Sequence, residues 1–202
     1  MKKFLFILII THYAIIVSAQ SKIDEYRSSY FNKTYSVNAS QNKNDTNKYD
    51  YYIECASADK LHKQVVIMIN SSKIQDFIDY LNTNKQIYDK WNKTAKANNV
   101  TELDKEIETK SFECTSAFVY GDWNFDFNVL LKSRVKIING KMFLIFSSGE
   151  LQSSSNQFMK HDGLLLVFSA PDEIDDFIEK IDISKVRKYF ASKNKTDQLF
   201  KN

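Results

Sequence analysis

The sequence is poor in the residues that build cradles, clusters and metal sites. It has four glycines, one proline, two cysteines and three histidines in 202 residues. No stretch spells a dinucleotide-binding Gly-x-Gly-x-x-Gly, a phosphate-binding P-loop or a Gly-x-Ser-x-Gly elbow. So few glycines leave little from which to build a phosphate-cradling loop. Past the first 19 residues only His62 and His161 remain, and neither His-Glu-x-x-His nor paired Cys-x-x-Cys spacing occurs. That excludes the common zinc motifs, and no metal or other cofactor is expected.

Charge of one sign is also lacking. The net charge is +3. It falls to +1 without Lys2 and Lys3. Acids and lysines are interspersed, the pattern of a solvated surface. Such a chain has no basis for binding nucleic acid or an anionic membrane.

What the chain does have begins at its start. Lys2 and Lys3 precede an apolar run from Phe4 to Val17, and Val17-Ser18-Ala19 is a small-residue cleavage site. Residues 1–19 therefore read as a secretory signal peptide. The run is shorter than the ~20 residues of a membrane span and is broken by Thr11, His12 and Tyr13. No later stretch approaches that length, so no stable membrane insertion is expected after cleavage. No cysteine follows the junction, which argues against a lipid anchor. The mature chain should begin at Gln20 and be exported to the periplasm, the cell surface or the medium. Roughly 180 residues remain, enough to bury a sizeable core.

The organising stretch is 164–181. The apolar run Leu164–Phe168 reads as a strand. Ile174, Phe177, Ile178 and Ile181 then fall at helical spacing. Ser169, Pro171, Asp172 and Glu173 form the start signal between them. Residues 66–81 repeat the pattern: Ile74, Asp76, Phe77 and Ile78 match Ile174, Asp176, Phe177 and Ile178. This is a candidate internal duplication, with Ser71 or Ser72 as the first helix's cap. That helix carries its stripe on through Tyr88, Trp91 and Ala95, and should stop near Asn98-Asn99.

Residues 20–48 are polar and read as a partly mobile leader, with one short strand around 30–37. Strands follow at 49–56 and 63–70. From 112 to 146 the period is two: 112–120, a turn at Gly121-Asp122, a strand to 132, and a hairpin at Asn139-Gly140. Ser184 caps a last helix, and 193–202 is a polar tail. The expectation is one α+β domain over 49–192, an antiparallel sheet of about six strands with helices packed on one face.

Candidate sites are few. Cys55 and Cys114, in an exported chain, read as a disulfide; the alternative is two buried free thiols. Asp122, Asp126 and His161 sit near strand ends and form a weak candidate acid/base cluster, although Asp is also an ordinary turn residue. Seven Asn-x-Ser/Thr sequons occur, at Asn32, Asn38, Asn44, Asn70, Asn92, Asn99 and Asn194, and composition accounts for much of that. Trp123, Phe125 and Phe127 share one strand face, and Asn124, Asp126 and Asn128 the other. With helices on one face, the aromatic row should be core and the Asn124/Asp126/Asn128 row should be the binding surface.

Two function classes follow. The favoured one is a non-catalytic binding or structural module for a protein, peptide or glycan. The other is a small hydrolase, or an inhibitor of one, built on the acid/base cluster.

The Lys2-Lys3 opening, the Ser18-Ala19-Gln20 junction and the run 91–106 resemble uncharacterised small exported proteins of gut-type bacteria and their mobile elements. The likeness extends through the meander to 171–181. It implies export and a shared fold; no activity and no functional residue come with it.

Overall fold

A computed structural model of the chain describes residues 20–199, with all their side chains except those of 197 and 198. The signal peptide expected at 1–19 lies outside the described residues.

The chain forms β1 (Ser21–Ser28), β2 (Lys33–Gln41), β3 (Tyr49–Glu54), β4 (Ala56–Ser57) and β5 (Val65–Asn70), then α1 (Ile74–Ala97). After it come β6 (Leu103–Glu106), β7 (Phe112–Tyr120), β8 (Asp122–Ile138), β9 (Lys141–Ser147), β10 (Leu151–Gln152), β11 (Lys160–His161) and β12 (Leu164–Phe168). Helices α2 (Pro171–Lys180) and α3 (Ile183–Leu199) end the described chain. The fold is α+β, as expected. Its main sheet has ten strands in the order β1-β2-β3-β5-β7-β8-β9-β12-β4, with β6 on β8. The expected six fell short because β4 and β6 are too brief to show a period, and because β1 and β2 fall in the expected leader.

The leader is in fact structure. Tyr35, Val37 and Ala39 alternate inward along β2 and are buried. Tyr26 on β1 stacks on Tyr35 at 5.4 Å and meets Phe177 edge-on at 4.8 Å. The period is present, but tyrosine and alanine supply two of its three positions, so its hydrophobic signal is weak. At the other end α3 continues through Leu199, across most of the expected tail.

β3 and β4 are one run of chain interrupted at Cys55, whose N–H still donates to the Val65 carbonyl at 3.0 Å. β3 pairs with β2 and β5, and β4 pairs with β12. The strand order thus returns to a segment it has already passed, closing β3-β5-β7-β8-β9-β12-β4 into a barrel-like ring. Ring closure reduces open sheet edges, a common liability of β structure, although β1 and β6 remain paired on one side only.

Helices α1 and α2 feed one core with the sheet. Ile74, Phe77, Leu81, Ile174, Phe177 and Ile181 all join it, and the Phe77 and Phe177 rings lie 6.4 Å apart. A duplication is not shown. β5 lies between β3 and β7 whereas β12 lies between β9 and β4, and the helices have 24 and 10 residues.

Some expected caps differ as well. No side chain caps α1, since Ser72 instead bonds Asn70. On α2, Glu173 reaches back to accept from the Ser169 N–H at 2.8 Å. Asp182, rather than Ser184, accepts the free N–H at the start of α3. The end of α1 does match: Asn99 is left-handed at φ 53°, and Val100 N–H donates to the Ala95 carbonyl at 2.9 Å. That is a Schellman stop.

The expected disulfide is absent. Cys55 and Cys114 are free and buried. β5 runs between their strands, so two interstrand spacings of ~4.8 Å separate them, beyond the ~7 Å limit for a bridge.

Candidate functional site

The register of β8 decides which residues meet solvent. Cys114 pairs with Val129 but Ser116 pairs with Asp126, so β8 holds one extra residue between Asp126 and Val129. Such a bulge flips the face of everything beyond it. After the bulge Val129, Leu131, Val135 and Ile137 point into the core. Before it, Asn124 and Asp126 sit opposite Phe118 and Ser116, which are fully buried, while Trp123 and Phe125 pair with Val119 and Ala117 on the other side.

The expected orientation is therefore reversed. Asn124 is buried at 6% exposure, and its amide donates to the carbonyl of Asp122 at 2.9 Å. Asp126 is half-buried; it accepts from the Asn128 N–H at 3.3 Å and the Gln152 N–H at 3.0 Å, tying the bulge to β10. Asn128 is exposed. Trp123 and Phe125 are half-buried, and Phe127 is 50% exposed. The Phe125 and Phe127 rings lie nearly parallel with centroids 6.3 Å apart.

The expected acid/base trio does not assemble by hydrogen bonds. Asp122 is exposed in the hairpin turn, and His161 is buried elsewhere. The Gly163 N–H donates to His161 Nδ1 at 3.0 Å. That nitrogen is therefore the acceptor, and the ring proton sits on Nε2. Nε2 faces the His62 carbonyl at 3.0 Å and Ser57 Oγ at 3.1 Å. A Ser–His pair is present in distance, but with this tautomer His161 has no free lone pair with which to take the serine proton. The ring instead fastens the 57–62 loop to β11. Burial lowers its pKa, because the charged ring loses its hydration. Asp59 completes the loop, accepting from the N–H groups of His62 and Leu61 at 2.9 and 2.7 Å. These bonds, chiefly that from His62, hold its carboxyl well below the usual range. Gly163 is required here: its φ is 109°, and a Cβ would lie 2.0 Å from the Gly149 carbonyl oxygen. Among the described residues no group of His, Cys, Asp or Glu is placed to hold a metal ion.

The face opposite the core is laid out in rungs. Ser40, Asp50 and Asn70 stand in one register; Asn38, Tyr52, Met68 and Thr115 in the next; Glu54, Val66, Ala117 and Phe125 in a third. Tyr52, Val66 and Ala117 are buried yet lie outside the main core. They form a second, thin apolar layer under the open side. A groove of about 510 Å³ runs over the first two rungs, floored by Tyr52 and Met68 and flanked by Asp50, Glu113 and Phe127. A second hollow of about 610 Å³ lies between Phe127 and the loop 152–158, whose Phe158 is 85% exposed. Phe127 is the ridge between them. Both volumes are in the range of ligand sites.

Sequence reasoning placed Phe127 in the core and missed Asp50, Tyr52, Met68 and Thr115. The available signal was the alternation of Asp50, Tyr52 and Glu54 with Tyr49, Tyr51 and Ile53.

Comparison with family models, with curated proteins and with solved structures returns no match for this chain.

Proposed function

We propose that the protein is an exported, non-catalytic binding module whose ligand lies across the open sheet face. One observation carries this reading: Phe127, half-exposed, forms the wall shared by two adjoining grooves. An exposed aromatic ring costs the free protein solvation, and covering it contributes roughly 1 kcal/mol. The hydrogen-bonding groups around it, Ser40, Asn70 and Thr115 on one side and Ser153–Ser155 on the other, can orient a peptide or a glycan. The signal peptide expected at 1–19 and the resemblance to small exported proteins support a periplasmic, surface or extracellular setting. His161, the one buried histidine among the described residues, is occupied structurally. Of the Asn124/Asp126/Asn128 row, Asp126 and Asn128 line the second hollow, and Asn124 is buried.

Trp123, half-buried on this face, provides the readout. Peptide and glycan panels titrated against the intrinsic fluorescence should yield a ligand that perturbs the emission. In the Phe127→Ala protein that ligand should bind about tenfold more weakly, with the melting temperature within a few degrees of the parent. Equal binding by Phe127→Ala places the ligand elsewhere and refutes the reading.

A further inference from the structure

Resting on that reading, we propose that the groove floored by Tyr52 and Met68 takes an extended peptide bearing a lysine or arginine, whose cationic group pairs with Asp50. Asp50 is half-buried in the middle strand of the groove wall. Its carboxylate has no ion pair or side-chain hydrogen bond among the described residues. Some carboxylates elsewhere are paired, Asp104 with Arg134 at 3.0 Å and Glu179 with Lys185 at 2.7 Å. Partial burial of an unpaired carboxylate is unfavourable, and an incoming cation relieves it. Burial also raises the Asp50 pKa, with no opposing cation to lower it.

The surroundings suit the stem of such a side chain. Tyr52, two residues on along the same face, and Phe127 offer aromatic surface to methylenes and to a cation. Ser40 and Asn70 flank Asp50 in its rung and can bond a ligand backbone. Lys43, Lys73 and Glu113, also without ion pairs among the described residues, line the same groove. Two lysines at the rim repel a bare polyamine but accept peptide carbonyls or a carboxylate. An amino-sugar oligomer is the competing cationic ligand.

The test uses heptapeptide libraries with a fixed central lysine, arginine, norleucine or glutamate, and a glucosamine tetramer, followed by intrinsic tryptophan fluorescence and calorimetry. The lysine and arginine libraries should bind at least ~10-fold tighter than norleucine, as a charge-assisted hydrogen bond implies. In Asp50→Asn that preference should vanish, with norleucine binding unchanged. In Phe127→Ala both should weaken. Equal binding of lysine and norleucine libraries, a preference that survives Asp50→Asn, no peptide binding at all, or binding of the tetramer alone each overturns the inference. The broader reading fails separately, if Phe127→Ala leaves every ligand's affinity intact.

Discussion

His161 carries a pH dependence whose sign can be worked out. Its folded pKa lies below the ordinary histidine value of ~6.5, so the folded state disfavours the proton. The neutral ring's contribution is complete above ~pH 6.5, and it is lost as the pH falls through the folded value. Urea midpoints should therefore drop between about pH 7 and pH 5. In His161→Asn the midpoint should be lower at pH 8, by roughly 1–3 kcal/mol in stability, and should fall less steeply on acidification. A slope as steep as the parent's would assign the titration to another group. Spacing alone could not reveal this role. The partners of His161 are Gly163, two residues on, and the Ser57–His62 loop about a hundred residues away.

Two strands in the middle of the sheet explain the fate of the cysteines. Cys114 sits in β7 and Cys55 at the break between β3 and β4, and β5 lies between the two segments. Burial pushes both thiols up, Cys114 to about 12, so neither is a reactive thiolate at neutral pH. Ellman's reagent should find almost no reactive thiol in the native protein and two in protein unfolded without reductant. None in the unfolded, unreduced protein would restore the disulfide. β8 is the second case. Its first half was legible as a strand, and so was the Asn139-Gly140 turn, where both residues take positive φ (50° and 75°). The bulge at Asp126–Val129 was not legible. It depends on where β7 grips β8, and one extra residue moves Trp123 and Phe125 from the expected core to the open side.

On the scale of the whole molecule, residues 20–41 are the test of how the fold holds together. Tyr26, Tyr35, Val37 and Ala39 are buried in the common core, and Tyr26 also donates to the Glu54 carbonyl at 2.8 Å. Removing them uncovers β3 and α2. A chain beginning at Asn42 should lose near-UV circular dichroism and cooperative unfolding, whereas a mobile leader would be dispensable. Limited proteolysis of the native protein should likewise spare 21–41. Among the described residues no helix is long and apolar enough to cross a membrane.

Local chemistry settled a good deal without tertiary help. The helical stripes of α1 and α2, the Asn99 stop, the Asn139-Gly140 hairpin and the α+β class all follow from the spacing of apolar residues and from which residues tolerate positive φ. These depend on neighbours within a few positions. Strand order, the ring closed by β4 on β12, the separation of the cysteines and the outward turn of Phe127 depend on pairings between residues tens of positions apart. Each pairing wins by the side chains it buries on both strands together, and neither strand's sequence states its partner.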